Sequence, residues 1–377
     1  MAPFYAIVCE QLSWPKDAAL AAKMEAANAA ELATLEERIT VCEKDEGESE
    51  VREAHLAKAD FLVRIGESAK AHEAIEMTYT KTVAIGLRLD LLLCKLRVGF
   101  FFDDLKLIKA TIERSKALLE TGGDWERRNR LKVYEALFLL MVGGARRRPL
   151  ASPCCLCCVA HVAPYVCNAR APSCLCAQVR DLKKSSALFL DSIATFTATE
   201  LLPYNQFIMY AVASSVVALP RSEIKPKVID APEILQVIDE IPHMGGLVSG
   251  LYNCQYRTLM CSLVEIIDVL KADRYFAQHA RFYWREVRVL AYTQFLESYR
   301  SVSLQSMAAS FGVSAAFLDA ELSSFISGSR LSCSIDKVGG IVSSTRPDTK
   351  NAQYQATIKQ GDLLLNRVQK LSRVINL

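Results

Sequence analysis

The sequence predicts a mainly α-helical fold: a solenoid of tetratricopeptide-like helical repeats, then a helical bundle ending in a winged helix, then one long C-terminal helix. Three observations predict it. Paired helical patterns recur through residues 51–240 at a period of roughly 35 residues, as in tetratricopeptide hairpins. Two short helices and a strand hairpin follow one another at about residues 301–345, in the order of a winged helix. Apolar residues then recur at helical spacing through residues 349–377.

Composition agrees with a globular chain of several domains. The 377 residues are 51% hydrophobic and 23% charged, with a formal net charge of +3. Such a composition is typical of folded proteins, and the near balance of charge indicates no strongly charged partner. We expect no export signal, because no charged stretch followed by an apolar one stands near Met1. The sequence therefore predicts a soluble chain.

Residues 1–50 are predicted to form an N-terminal helical segment, and the repeats of residues 51–240 follow. Apolar spacing is irregular as far as Trp14, whereas residues 16–44 have the spacing of a helix. The first repeat helices are predicted at residues 51–65, 68–85, 87–102 and 103–119. Residues 201–219 carry no charge and are almost long enough to span a bilayer, but they include a proline and several polar residues. A buried repeat helix explains them better.

Two long helices are predicted ahead of the winged helix, over residues 247–270 and 275–299. The second is rich in aromatic residues, which we expect to pack the helical half of this domain against the winged helix. Within the winged helix, Ser303 and Ser314 have the position and chemistry of N-caps, and Gly312 supplies the turn between the helices. Its apolar faces are predicted to contain Leu304, Met307, Ala308, Phe311, Phe317, Leu318, Leu322, Phe325 and Ile326.

A winged helix suggests nucleic acid, but its second helix is unsuited to that role. DNA-binding versions carry Arg, Lys, Asn or Gln on the exposed face of this helix. Between residues 315 and 327 the only charged residues are Asp319 and Glu321, which we expect to repel phosphate. The domain is therefore predicted to bind protein rather than a specific nucleic acid.

Catalytic signatures are absent from the sequence. It contains no H-E-x-x-H, G-x-S-x-G, P-loop or G-x-G-x-x-G motif, and its five histidines are scattered. We therefore predict a protein that is not an enzyme and that needs no cofactor.

The C-terminal helix carries an apolar stripe that needs a partner. Its members are Tyr354, Ile358, Leu364, Val368, Leu371 and Ile375. A single helix with such a stripe is marginal alone and must pack against something. It could dock on its own domain or join helices of other proteins.

Several stretches together carry a family resemblance: residues 122–134, 296–301, 335–338, 345–348, 358–366 and 367–376. They are similar to the non-ATPase regulatory subunit 6 family of the 26S proteasome, PCI-domain subunits of the regulatory-particle lid. The similarity covers nearly the whole chain except residues near 142–178. Members of this family carry a further N-terminal helical stretch, so we expect this sequence to be shortened there.

The resemblance implies a non-catalytic scaffold subunit that supports ATP- and ubiquitin-dependent protein degradation in the cytoplasm and nucleus. It implies a PCI domain at residues 241–348 and an assembly helix at residues 349–377. The implied partners are other lid PCI subunits and the lid helical bundle and, indirectly, the ATPase ring and core particle, with no membrane. The candidate contact residues are Leu331, Ile335 and Ile341 on the strand hairpin, whose edge is expected to pair with neighbouring PCI subunits, and Ile358, Leu364, Val368, Leu371 and Ile375 on the C-terminal helix.

Two alternatives remain for the function. The first is a PCI subunit of a sister assembly with the same architecture, the COP9 signalosome or translation initiation factor 3, although the C-terminal run favours the proteasome. The second is a nucleic-acid-binding winged-helix protein.

Residues 142–178 interrupt the repeats with a cysteine- and proline-rich insert. Its C-x-x-C pairs and His161 are residues that zinc uses, but the overlapping pairs do not form a clean zinc pattern. Joining Met141 to Val179 gives a run similar to the uninterrupted sequence of the family. Valine and glutamine codons can also supply the first and last bases of an intron. We therefore hypothesise a translated, unspliced intron, with a zinc site or an authentic flexible loop as alternatives.

Overall fold

The computed structural model describes residues 2–45, 47–142, 182–345 and 349–375. The chain forms two compact units: unit 1 comprises Met1–Glu240 with Arg274–Gln278, and unit 2 comprises Ile241–Asp273 with His279–Leu377. Helices make up most of the described chain, as the sequence predicts.

In unit 1 each helix packs on the next in chain order, from α1 on α2 to α8 on α9. The helices are α1 (Ala2–Leu12), α2 (Ala18–Asp45), α3 (Glu48–Ile65), α4 (Ser68–Lys81), α5 (Ile85–Phe102), α6 (Leu105–Thr121), α7 (Trp125–Val142), α8 (Leu182–Ser192), α9 (Tyr204–Ala218), α10 (Arg221–Ile224) and α11 (Pro232–Leu235). Helix α5 also contacts α7. Contacts between successive and alternate helices are expected of stacked helical hairpins.

Local chemistry sets the helix ends in unit 1. Gly66 ends α3 in the left-handed conformation, at φ 80°, which glycine adopts without steric cost. The carboxylate of Asp104 caps α6 by accepting from the backbone N–H groups of Lys106 and Leu107. Helix α4 ends at Lys81, four residues before the predicted end, because the buried Thr82 is extended and donates from its hydroxyl to the carbonyl of Thr78.

The sequence predicts a helical segment over residues 1–50, but it gives no bounds for a separate helix α1, because the apolar residues there lack a regular period. Contacts with other helices of unit 1, rather than a regular apolar pattern, hold α1 in place. Phe4 lies 5.2 Å from Phe101, measured between ring centroids, and its Cβ lies 3.0 Å from where a side chain at Gly66 would begin. A glycine at position 66 therefore lets α1 approach the end of α3 closely.

Unit 2 contains the remaining six described helices and the sheet. Its elements are α12 (Met244–Tyr252), α13 (Tyr256–Ala272), α14 (Ala280–Ser298), β1 (Ser301–Ser303), α15 (Leu304–Phe311), α16 (Ala315–Ser327), β2 (Cys333–Asp336), β3 (Ile341–Ser344) and α17 (Thr349–Ile375).

The prediction of a single helix over residues 247–270 is wrong, because the structure has two helices there. A turn that includes Cys254, at φ 59°, separates α12 from α13, and the two helices pack closely. A Cβ at Gly250 would lie 3.1 Å from the backbone nitrogen of Leu259. Glycine is therefore required there for the close approach of the two helices, and it does not mark a weak point within one helix.

The aromatic helix predicted over residues 275–299 begins later, at Ala280, and its aromatic residues divide between the units. Tyr275 and Phe276 belong to unit 1, where both rings pack against Tyr210. Phe295, on α14, does pack against the winged helix as predicted, 5.5 Å from Phe311 between ring centroids.

The winged helix has the predicted helices and caps, with one additional strand. The hydroxyls of Ser303 and Ser314 accept from backbone N–H groups of their helices, and Gly312 is left-handed at φ 69°. The sheet has three strands in the order β1-β3-β2, all antiparallel. The strand β1 was missed because only three residues pair, and the last of them, Ser303, is also the helix cap.

A buried ion pair joins α16 to α14. The carboxylate of Glu321 contacts the guanidinium of Arg288 and accepts a hydrogen bond of 2.7 Å from the hydroxyl of Tyr292. Their side chains are almost enclosed, since Arg288 is 9% exposed and Glu321 11%. Burial lowers the pKa of Arg288, an effect that Glu321 opposes, and burial together with Glu321 raises the pKa of Tyr292.

Candidate protein-interaction surfaces

Two strands leave open edges on the sheet of unit 2. Because β3 is central, only β2 offers an edge from the predicted hairpin, and β1 offers the other. The backbone N–H of Thr345 donates to the carbonyl of Ser332, so alternate residues of β2 after Ser332 also bond to β3. By this alternation the N–H and C=O groups of Cys333 and Ile335 point away from β3, toward the open edge.

The three candidate residues of the hairpin have different exposures. Leu331 is 6% exposed and lines a groove of about 220 Å³ together with Leu296 and Thr293. Ile335 is half-buried on the edge strand β2, and Ile341, at the start of the central strand, is 39% exposed. Of these three, Ile335 alone combines an edge position with a partly accessible side chain.

Only one of the two carboxylates of α16 lies at the outer surface, for a reason the sequence did not reveal. Asp319 and Glu321 were both expected to repel phosphate. Glu321 instead points inward to Arg288, so that expectation was wrong for this residue. Asp319 pairs with Lys337 at 3.3 Å, and Phe317, expected on the apolar face, is 44% exposed. No described cation of α16 is available for phosphate, since its sequence contains none.

Helix α17 exposes its apolar residues to solvent. Every side chain described in this helix is exposed, so within the described residues α17 does not pack on its own domain. The predicted stripe is exposed throughout: Tyr354 65%, Ile358 63%, Leu364 66%, Val368 55%, Leu371 60% and Ile375 73%. Exposed apolar surface of this extent is typical of protein-interaction sites.

Sequence reasoning missed three apolar residues of α17. Leu365 is 57% exposed and belongs to the predicted stripe. Leu363 and Val374, exposed by 61% and 71%, lie on the other side of the helix, as the rotation of about 100° per residue requires. The sequence does contain this pattern. Leu363 and Val374 are eleven residues apart, which is about three helical turns, so a helix places both on the same face.

Ligand chemistry gives no competing candidate site in the part of the chain that the structure describes. No group of three or more His, Cys, Asp or Glu side chains there could hold a metal ion. Among the same residues, none of the helices combines the length and apolarity that crossing a bilayer demands. The zinc alternative for the cysteine-rich insert concerns residues outside the described ranges.

Family models match the chain in three parts. The model for the 26S proteasome subunit RPN7 matches residues 17–145 and 172–227. The PCI domain matches residues 264–346, and the RPN7/PSMD6 C-terminal helix matches residues 353–375. Relatives agree over nearly the full length: "26S proteasome non-ATPase regulatory subunit 6" of Oryza sativa subsp. japonica is 47% identical over 96% of this chain and 83% of its own length. The chain belongs to the RPN7/PSMD6 family of 26S proteasome regulatory subunits.

Other relatives extend the same agreement within the RPN7/PSMD6 family. The homolog of Arabidopsis thaliana is 46% identical over all of this chain and 88% of its own length. The subunit of Dictyostelium discoideum is 43% identical over all of this chain and 89% of its own length. In contrast, COP9 signalosome complex subunit 1 of Arabidopsis thaliana is 24% identical over 43% of this chain. The comparison therefore favours the proteasome family over the COP9 signalosome alternative.

Proposed function

We propose that this chain is a non-catalytic scaffold subunit of the lid of the 26S proteasome regulatory particle, in the cytoplasm and nucleus. Membership of the RPN7/PSMD6 family supports this function, because relatives named as 26S proteasome regulatory subunits align over nearly the whole chain. The exposed apolar stripe of α17 carries the proposal at the level of structure. A chain that exposes such a helix is expected to bury the apolar stripe against other proteins in an assembly.

The first proposed contact is a helix bundle formed by α17 and helices of other lid subunits. The apolar stripe repeats at helical spacing over about five turns, from Ile358 to Ile375, which suits packing along a neighbouring helix. The large exposed residues would lose most of their accessible surface in such a bundle, and burial of this kind is the dominant favourable term in association.

The second proposed contact is strand addition at β2. The outward backbone groups of Cys333 and Ile335 can bond to a strand of a neighbouring PCI subunit, extending the three-stranded sheet. Because β2 has only four residues, the edge alone supplies few bonds, and α17 is expected to contribute most of the affinity.

The triple variant Leu364→Glu, Val368→Glu and Leu371→Glu tests the bundle. These side chains are exposed in the isolated chain, so we expect its circular dichroism and melting temperature to stay unchanged. In cells, incorporation of the tagged chain into the lid should fall at least tenfold, since three charges would enter an apolar interface. A matched control replaces the same three residues, Leu364, Val368 and Leu371, with Met, which keeps the stripe apolar, and should assemble normally. Unfolding of the isolated triple variant, or its normal assembly, would contradict the proposal.

A further inference from the structure

Helix α17 carries a second stripe that the apolar bundle contact does not use. Lys359, Leu363, Arg367, Lys370 and Val374 are spaced by four, four, three and four residues, so they follow one line along the helix. We name this line the basic stripe. At about 100° per residue the centre of this stripe lies about 110° round the helix from the centre of Leu364, Val368 and Leu371.

Charge on this stripe is positive and uncompensated within the described residues. The sequence of α17 contains five basic residues and one acidic residue, Asp362. All five side chains of the basic stripe are exposed, and no carboxylate of the described residues lies within ion-pair distance of Lys359, Arg367 or Lys370. The cations are therefore free to pair with groups of another molecule.

The order of side chains along the stripe also carries information. Leu363 and Val374 stand about 16 Å apart along the axis, and Arg367 and Lys370 lie between them. Both apolar residues are more than half exposed, at 61% and 71%. Two large apolar residues on one line of a helix, three turns apart, can anchor a partner that lies along that helix. An elongated partner could bury Leu363 and Val374 at its two ends and place carboxylates against Arg367 and Lys370 between them.

We propose that the basic stripe binds an α-helix of a neighbouring lid subunit, with acidic side chains facing Arg367 and Lys370 and apolar residues facing Leu363 and Val374. Helix α17 then has two neighbours, one on its apolar stripe and one on its basic stripe. This inference rests on the proposed lid function and specifies the chemistry of a second partner. An arginine at position 367 suits a carboxylate, because the guanidinium can bind it through two parallel hydrogen bonds.

Carbodiimide cross-linking of the assembled lid tests the proposal directly. The lid is produced with this chain as its only copy of the subunit and treated with a carbodiimide, which joins a lysine amine to a contacting carboxylate. We expect mass spectrometry to find Lys370 joined to Asp or Glu in a helical segment of another subunit. Absence of any such link from Lys370, in a lid that contains the chain, would overturn the proposal.

Charge reversal gives the second measurement. The double variant Arg367→Glu and Lys370→Glu should lower incorporation into the lid about tenfold or more, because like charges would then face each other at a desolvated contact. Arg373→Glu, a charge reversal on neither stripe, is the control and should assemble normally. Reversing the cross-linked carboxylates of the partner to Lys should restore incorporation of the double variant. Normal incorporation of the double variant would overturn the proposal.

The outcomes separate this inference from the function on which it rests. If the unaltered chain enters the lid but the double variant enters equally well, the basic stripe has no acidic helix and the lid function stands. If the unaltered chain does not enter the lid, both fail. If the purified chain binds vesicles of anionic phospholipid through Arg367 and Lys370 while lid incorporation is insensitive to the double variant, a membrane surface replaces the acidic helix and the proposal is overturned.

Discussion

At the scale of single residues, the contact between Glu321 and Arg288 holds the second helix of the winged helix against α14. Both charges are nearly enclosed, and Tyr292 supplies a further hydrogen bond to the carboxylate. A buried charge left without its partner is costly, whereas a solvent-exposed pair contributes little. A buried charged contact therefore helps to fix the orientation of α16 against α14.

Replacing Glu321 with Ala should destabilise the folded chain by about 3 kcal/mol, because the charge of Arg288 would remain buried and unpaired. The measurement is urea unfolding of the full chain followed by circular dichroism. Lys337→Ala is the matched control: it breaks the pair between Lys337, 72% exposed, and Asp319, and should cost less than about 1 kcal/mol. Equal losses for the two variants would contradict this account of the buried pair.

Sequence patterns predicted the capping residues of the winged helix but not the direction of its charged side chains. Ser303, Gly312 and Ser314 act through bonds to nearby backbone, and their roles follow from residue type and position. The inward direction of Glu321 depends on Arg288 and Tyr292, which lie 33 and 29 residues earlier in the chain. No local pattern contains that information, so the residue was expected to repel phosphate.

At the scale of elements, β2 is the part of the predicted hairpin that can extend the sheet into another protein. The alternation of bonds in the ladder places the N–H of Ile335 on the open side and that of Ser334 on the side of β3. An edge strand tolerates a proline at a position where the backbone N–H would otherwise face solvent. Position 335 therefore allows the edge to be altered without removing a bond within the chain.

The variant Ile335→Pro should leave the isolated chain folded and weaken incorporation into the lid several-fold, because the edge loses a donor for the added strand. Ile335→Ala is the control that removes the side chain but keeps the N–H. Competition between each tagged variant and the unaltered chain during lid assembly gives the measurement. If the proline and alanine variants compete equally, the backbone edge takes no part in assembly.

Element prediction succeeded where apolar spacing was long and regular and failed where packing decided. The stripe of α17 was identified from sequence because twenty-seven helical residues display it repeatedly. The break between α12 and α13, and the departure of Tyr275 and Phe276 into unit 1, depend on close approaches between elements. Glycines such as Gly250 look like weak points within a helix until the neighbouring backbone is known.

At the scale of the whole molecule, the insert stands between two helices that pack on each other. Helix α7 contacts α8, and the hydroxyl of Ser185 donates to the carbonyl of Ala136 at 2.9 Å. The family model for RPN7 leaves residues 146–171 unmatched, within the predicted insert at 142–178. The hypothesis of a retained intron remains a prediction, and transcripts spanning the junction would contradict it if all of them contained the insert.

The central claim is that this chain is a subunit of the proteasome lid, and one native gel tests it most directly. The full chain and a version lacking residues 142–178 are tagged, expressed in the native cells, purified and assayed in the gel for peptide cleavage. We expect tagged material to migrate with peptidase activity at the size of a complete proteasome. If only the shortened version assembles, the proposed lid function stands and the insert is what prevents assembly. Failure of both versions to assemble would contradict the lid function itself.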